Sequence, residues 1–260
     1  MRRLIIIVSA LSVLGLSAVA YAASSQPYTG SIKFNSKKPG TAAHPSPTGY
    51  TQDVKTTTPA GMRPQVQREI TLKIYGIKVD GKDFPTCSMA TIATAHNDNG
   101  CPPKAMIASG YIRSLLGGND FSQPAQDCDP ALHVWNSGQG KETYFFVTDA
   151  AHTCLGGALH TGSTPPYPGT YHMSGKYFIG DVKVPGYIDN PVQGLVGSLQ
   201  QEHLNFSTQT AKVHGKTVVS SGSFACLKGK RPYAITTVTS GADPGSQRVT
   251  STIKGSAPCS

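Results

Sequence analysis

The sequence predicts an all-β protein, an antiparallel β-sandwich of the immunoglobulin-like or jelly-roll-like kind with one short helix. Gly and Pro contribute 28 and 19 of the 260 residues, whereas charged residues, which populate helix surfaces, make up only 14%. More than ten short segments with strand-like patterns alternate with turn residues. No repeat and no second domain boundary is visible, so a single domain is expected over residues 31–260.

The N-terminus has the three parts of a secretory signal peptide, predicted over residues 1–22. Arg2 and Arg3 form a basic start, Leu4–Val19 is largely apolar, and Ala20-Tyr21-Ala22 has the small-x-small pattern that signal peptidase cleaves. A membrane anchor is the alternative, and the polar residues that follow the cleavage site disfavour it. Residues 23–30 are expected to form a flexible leader. No later apolar run approaches the length of a membrane span, so no anchor is expected after cleavage.

Export sets the expected location and partners. Cleavage removes two arginines and leaves 21 basic against 14 acidic side chains, a net charge of +7. A basic exported protein is attracted to anionic cell-wall polymers and phospholipid headgroups, or to another envelope protein. The basic residues are scattered and are not interleaved with aromatic side chains, which argues against nucleic-acid binding. The expected location is the extracellular space or the cell envelope.

All six cysteines lie beyond the cleavage site, and an even number of cysteines in an exported chain indicates disulfides. Their spacing favours sequential pairing, because turn signals or hairpins separate the members of each pair. The expected disulfides are Cys87–Cys101, Cys128–Cys154 and Cys226–Cys259. A thiolate zinc site is the alternative, but the chain contains no C-x-x-C and no H-x-x-x-H pair.

The first expected strands are Ser31–Phe34 and Tyr50–Val54, at sheet edges, followed by Ile70–Tyr75. The last of these alternates apolar and polar residues, which is typical of a half-buried strand. The apolar residues at 77 and 79 are odd-numbered, whereas those of the preceding strand at 70, 72 and 74 are even-numbered. A bulge or tight bend is therefore expected at Gly76.

One short helix is expected over residues 86–95. Met89, Ile92 and Ala93 have helical spacing, and Thr86 is in the position of an N-terminal cap. The Cys87–Cys101 disulfide would tether this helix.

Strand-like segments occupy the rest of the chain. They are Met106–Ile112, Leu132–Asn136, Glu142–Thr148, Leu155–His160, Tyr171–Ile179, Val182–Val184, Leu204–Thr208, Lys216–Cys226, Ala234–Thr239 and Val249–Ile253. Tyr144–Val147 has no polar face, which fits a central strand buried on both sides. His214 and Gly215 both tolerate positive φ and mark a hairpin turn.

Several short motifs resemble a family of secreted bacterial β-sandwich proteins to which no chemistry is assigned. The most specific are Phe84-Pro85-Thr86-Cys87-Ser88 and Gly100-Cys101-Pro102. The others are Lys38-Pro39-Gly40-Thr41, Trp135-Asn136-Ser137-Gly138, Val184-Pro185, Gly197-Ser198-Leu199 and the late Cys226 and Cys259. The resemblance implies an exported all-β fold with a disulfide-clipped helix, and it implies no activity.

The candidate metal or proton-transfer residues lie in the middle third of the chain. They are His133, His152, His160, His172 and Asp149. Imidazole and carboxylate are ligands for divalent metals and partners in acid–base chemistry. The alternative is that these side chains lie on solvent-facing strand positions or cap loops, since none of their spacings is typical of a known site.

The sequence contains none of the motifs for a nucleophile elbow, a zinc protease, a P-loop or a calcium loop. The leading hypothesis is therefore an exported, non-catalytic binding or structural module without a cofactor. The competing hypothesis is a secreted metal-dependent hydrolase or metal-binding protein that uses the middle-third histidines.

Overall fold

A computed structural model of the chain describes residues 27–243 and 245–260. The predicted signal peptide and residues 23–26 of the predicted leader lie outside this part. The strands are β1 (Tyr28–Phe34), β2 (Ser46–Pro47), β3 (Tyr50–Thr56), β4 (Val66–Tyr75), β5 (Ile77–Val79), β6 (Met106–Gly117), β7 (Gln126–Cys128), β8 (Ala131–Asn136), β9 (Lys141–Val147), β10 (Tyr167–Ser174), β11 (Tyr177–Lys183), β12 (Val196–Phe206), β13 (Thr210–Val213), β14 (Lys216–Val219), β15 (Ser221–Ser223), β16 (Lys230–Ser240) and β17 (Val249–Pro258). The helices are α1 (Met89–Ala95) and α2 (Gly186–Asp189), with 3-10 turns at Pro103–Ala105 and Leu155–Gly157.

Most strands belong to one continuous hydrogen-bonded path, the main sheet, in the order β1-β3-β12-β6-β8-β9-β10-β11-β4-β16-β17. Neighbours on this path are antiparallel, and β7 pairs beside it with β6. The terminal strands β1 and β17 contact each other, so the sheet curls into a nearly closed, barrel-like shape. The antiparallel all-β prediction is confirmed. The β-sandwich arrangement is not confirmed, because these strands form one path and not two stacked sheets.

Gly30 allows the two ends of the main sheet to approach each other. A Cβ atom at this position would lie only 3.0 Å from Ile253 Cδ1 of β17 and 3.2 Å from Ile235 Cδ1 of β16. These separations are shorter than ordinary van der Waals contact. A larger residue at position 30 would therefore require these two isoleucine side chains to shift.

Two apolar clusters fill the interior of the main sheet. The first consists of Ile32, Tyr50, Val54, Ile70, Leu72, Ile74, Ile77, Tyr171, Phe178 and Ile235. The second consists of Ala108, Ile112, Leu132, Val134, Tyr144, Tyr167 and Leu204. Leu199 and Phe206 pack against both clusters. The interior is thus one core, built from strands at both ends of the path and at its centre.

The bend expected at Gly76 is confirmed. This residue connects β4 to β5 with φ +72°, and a Cβ atom there would lie 2.0 Å from the carbonyl oxygen of Ala225. Glycine is the residue that tolerates both the positive φ and the close backbone contact. Beyond the bend, β5 leaves the main sheet and pairs with β15, which in turn pairs with β2.

Both faces of β8 and β9 are buried, as the apolar run at 144–147 predicted. Tyr144 points into the interior, whereas Phe145 and Trp135 lie on the outer face beneath Ile92 of α1. The Cys87–Cys101 disulfide belongs to the same outer cluster and tethers α1. The helix is capped by Ser88, whose Oγ accepts a hydrogen bond from the Thr91 amide at 3.1 Å. The prediction of Thr86 as the cap was wrong, and α1 begins three residues later.

All three predicted disulfides are present, and none of the six cysteines is free. The hairpin turn at His214 and Gly215 is also confirmed, with φ of 48° and 76° between β13 and β14. Among the described residues, neither α-helix has the length and apolar character needed to cross a lipid bilayer.

Several strand predictions need correction. The segment 155–160 is not a strand, because Leu155, Gly156 and Gly157 all have positive φ and form a tight turn. The expected strand 171–179 is the end of β10 and the start of β11, joined at Gly175 with φ 59°. β1 begins at Tyr28, within the segment expected as leader, and β12 begins eight residues before the expected strand at 204.

We expect removal of the Cys87–Cys101 disulfide to expose Trp135, the single tryptophan, which is 3% exposed in the fold. The double variant C87S/C101S should lose about 2–4 kcal/mol of unfolding free energy, because the released loop regains conformational freedom. Its tryptophan emission should shift to longer wavelength before the main unfolding transition. The matched double variant C226S/C259S, far from Trp135, should keep the native emission. Equal emission shifts in both variants would contradict the assignment of this disulfide to α1.

Candidate functional site

The predicted metal residue His133 makes a structural contact on the outer face of β8. Its Nδ1 lies 2.6 Å from Asp98 Oδ2, and Trp135 Nε1 donates to the same oxygen at 3.2 Å. One carboxylate thus joins the loop after α1 to two side chains of β8. The contact fastens the disulfide-tethered segment to the sheet.

His152 and Asp149 form a local pair in the loop after β9. The imidazole Nδ1 lies 3.0 Å from Asp149 Oδ1, which also accepts hydrogen bonds from the amides of Ala151 and His152. The hydrogen bond from His152 is the main reason why the pKa of Asp149 is lowered. This carboxylate therefore organises its own turn.

His172 and His160 lie elsewhere. His172 is exposed on β10, opposite Ile179 of β11, and His160 is exposed in the loop before β10. Across residues 27–243 and 245–260, no group of three or more His, Cys, Asp or Glu side chains is placed to hold a metal ion. The structure therefore does not assemble the metal site that the histidine-rich middle third suggested.

A partly open space, here called the apolar cavity, lies at one end of the interior and has a volume of about 110 Å³. Its walls are mainly apolar and come from β6, β9, β10, β12 and α2. The apolar side chains include Ile112, Leu116, Phe146, Tyr167, Ile188 and Leu199. The Cys128–Cys154 disulfide also lines it and joins the loop before β10 to β7. Of the predicted metal residues, His160 alone lies in this wall, at an exposed position.

A bulge in β12 shapes one wall of the apolar cavity. The pairing of β12 with β6 changes register between Leu199 and Gln201. Such bulges bend a strand and redirect its side chains, and they are frequent next to binding sites. Ser198 and Leu199, on one side of the bulge, line the cavity. On the other side, Glu202 points into the centre of the interior.

Helix α2 closes the cavity from outside and is fastened by two polar contacts. Asp189 forms a buried ion pair with Arg68, whose Nε donates to Ser240 Oγ at 2.7 Å and whose Nη2 donates to the Gly241 carbonyl at 3.0 Å. Because the guanidinium is hydrogen-bonded throughout, its burial is compensated. Tyr187 donates to the Pro166 carbonyl at 3.0 Å, which joins α2 to the loop before β10.

Two polar side chains in the cavity wall have unusual environments. Ser198 is 1% exposed, and its Oγ has no hydrogen-bond partner in the described structure. Asp189 also lines the cavity, and burial raises its pKa to about 6 although Arg68 acts in the opposite direction. A buried hydroxyl without a partner is destabilising unless a bound molecule satisfies it.

Two buried glutamates occupy the centre of the interior, beyond the stacked rings of Tyr144 and Tyr167. Tyr144 donates to Glu142 Oε2 at 2.9 Å, and Gln52 Nε2 donates to Glu202 Oε1 at 2.6 Å. Both carboxyl groups line one small space of about 30 Å³. Burial raises the pKa of each glutamate to about 7, and the hydrogen bonds only partly oppose this effect.

Sequence reasoning missed Ser198, Asp189, Glu142 and Glu202. The burial of Glu142 could have been predicted, because this residue lies on the same face of its strand as Tyr144 and Phe146, which point inward. Glu202 carried the same signal through Leu204, whereas Ser198 and Asp189 gave none, since a serine or an aspartate in a strand or loop is usually solvent-facing.

Comparison with protein-family models, curated proteins and solved structures found no match. The resemblance to secreted bacterial β-sandwich proteins therefore stays a prediction, and the site rests on its own geometry.

We expect the protein to be more stable at about pH 5 than at about pH 8, because Glu142 and Glu202 keep their protons longer when folded. The stabilisation of the folded protein that follows from the raised pKa of the two glutamates is fully present below pH 4.5. This stabilisation is lost as the pH rises from 4.5 to about 7. Each group accounts for up to about 3 kcal/mol. Urea unfolding at both pH values gives the difference.

E142Q and E202Q should each reduce this pH dependence, because an amide keeps the shape of the carboxyl group and does not ionise. The matched control is E69Q, because Glu69 is a half-exposed residue of β4. This variant should leave the pH dependence of the unfolding free energy unchanged. An unaltered pH profile in both interior variants would show that these carboxyl groups do not titrate near neutral pH.

Proposed function

We propose that the chain is an exported, non-catalytic binding protein that holds a small, mainly apolar molecule in the apolar cavity. The observation that carries this proposal is a concave, partly open space of about 110 Å³ with mainly apolar walls. Ligand sites are typically concave and apolar, with a few placed polar groups. Cores are otherwise packed nearly without voids, so a cavity of this size requires a reason.

The composition of the walls supports a ligand over permanent hydration. Buried water needs two to four polar partners. Most of the wall surface is apolar and offers no such partners, so water in that part of the cavity is poorly held. Displacing weakly held water with an apolar group is favourable.

The surroundings of the cavity support retention of a bound molecule. The Cys128–Cys154 disulfide braces one wall, and the Arg68–Asp189 ion pair holds α2 over another. Preformed walls reduce the ordering that binding would otherwise require. Leu159, in the loop before β10, lines the cavity and is partly exposed, so we expect a ligand to enter beside it.

Export to the extracellular space or the cell envelope is part of the proposal. The basic, apolar and small-residue segments of residues 1–22 support it, and three disulfides are consistent with an oxidising compartment. The net positive charge of the mature chain supports attraction to anionic wall polymers or headgroups.

Filling the entrance should abolish binding. We expect the mature chain, residues 23–260 with its disulfides formed, to bind small aromatic molecules such as toluene or benzyl alcohol in an NMR titration. L159W should remove this binding because the indole occupies the cavity. L227W, at a side chain that is 45% exposed and outside the cavity, is the matched control. Absence of binding to the unaltered chain, or equal binding by L159W, would refute the proposal.

The export signal can be tested in a bacterial host that expresses the full chain. Mass spectrometry of the secreted or envelope fraction should find Ala23 as the N-terminal residue. A22R should block processing, because signal peptidase requires a small residue before the cut. S25A, beyond the cut, should be processed normally. Cytoplasmic full-length protein with reduced cysteines would contradict export.

A further inference from the structure

The cavity wall contains a hydrogen-bonding group that the protein leaves unmatched. Ser198 Oγ is buried and has no partner, and the residue is 1% exposed. A hydroxyl can donate one hydrogen bond and accept two. Leaving it unmatched in an apolar environment is unfavourable. A ligand group that both donates and accepts would remove this penalty.

The charges around Ser198 restrict the chemistry of that ligand group. Asp189 lines the same cavity, and its backbone packs against β12, since a Cβ on Gly197 would lie 3.4 Å from the Asp189 carbonyl oxygen. The described wall contains no Lys or Arg side chain. An anionic ligand would therefore be buried without a Lys or Arg side chain in the wall to neutralise its charge.

A cationic ligand is also poorly matched. The charge of Asp189 is already neutralised by Arg68, which approaches it from outside the cavity. A second cation would be desolvated against apolar walls for little gain. An ammonium group, moreover, only donates, and it could not accept the hydrogen of Ser198 Oγ.

We propose that the ligand carries one neutral hydroxyl group, as an alcohol or a phenol, which exchanges hydrogen bonds with Ser198 at the buried side of the cavity. This inference rests on the proposed binding function. The hydroxyl of the ligand accepts from or donates to Ser198 Oγ, and the carboxylate of Asp189 is a further acceptor in the same wall. The remainder of the ligand packs against the apolar side chains of β6, β9 and β12.

The volume of the apolar cavity limits the size of the apolar part of the ligand. An engineered protein cavity of about 150 Å³ binds benzene. The apolar cavity, at about 110 Å³, is of the same order and suits one six-membered ring or a short chain. Long-chain lipids exceed this volume.

Four ligands of nearly equal size distinguish a neutral hydroxyl group from no polar group, a cation or an anion. They are benzyl alcohol, toluene, benzylamine and benzoate, respectively. Dissociation constants for the disulfide-intact mature chain are measured by NMR titration at about pH 8, above the raised pKa of Asp189. Benzyl alcohol should bind about threefold to tenfold more tightly than toluene, which corresponds to one net hydrogen bond. Benzylamine and benzoate should bind more weakly than benzyl alcohol.

S198A should reduce the affinity for benzyl alcohol to that for toluene and leave the affinity for toluene unchanged. S221A is the matched control, because Ser221 Oγ is also buried without a partner but lies in β15, away from this cavity. The S221A variant should keep the full preference for benzyl alcohol over toluene. Thermal unfolding of both variants verifies that the fold is intact.

The outcomes separate this inference from the function on which it rests. Binding of toluene without a preference for benzyl alcohol, or a preference that S198A retains, would overturn the hydroxyl assignment and leave the apolar binding function standing. Benzoate binding at least as tightly as benzyl alcohol would also overturn it. If none of the four molecules binds, the binding function itself fails.

Discussion

The contact between β1 and β17 closes the main sheet on itself and so creates the interior of the protein. Antiparallel pairing joins the strands between them into one path, and the twist of such a path brings its ends together. Gly30 permits the close approach, and Ile32, Ile235 and Ile253 pack across the junction. Closure converts one face of the sheet into an interior, which holds the two apolar clusters, the buried glutamates and the apolar cavity.

The interior is filled unevenly, and this unevenness gives the protein its functional features. Apolar clusters occupy most of it, but the centre holds Glu142 and Glu202, and one end holds the apolar cavity. The stacked rings of Tyr144 and Tyr167 separate these two regions. Glu202 also contributes to the raised pKa of Tyr167, so the polar centre and the cavity wall interact electrostatically. The bulge in β12 directs Ser198 to one region and Glu202 to the other.

The elements outside the main sheet act as braces. The Cys87–Cys101 disulfide holds α1 over Trp135 and Phe145, and Asp98 reinforces the contact through His133. The Cys128–Cys154 disulfide braces the cavity wall, and Cys226–Cys259 fixes the C-terminal strand beside β16. His133 and His152, two of the four histidines that resemble metal ligands in the sequence, thus serve as hydrogen-bonding partners of nearby carboxylates.

The sequence by itself determined the features that depend on local geometry or on close spacing along the chain. These are the antiparallel strands, the bend at Gly76, the turn at His214 and Gly215, the position of the short helix and the three disulfide pairs. Alternation indicates which residues share a face, but it does not indicate which distant strands pair or which face becomes enclosed. The tertiary structure alone decided the closure through Gly30, the separation of the histidines, and the burial of Ser198, Glu142 and Glu202. The physical reason is that a polar side chain on a strand is ordinary at a solvent-facing surface, and only the pairing of strands far apart in the chain places it inside.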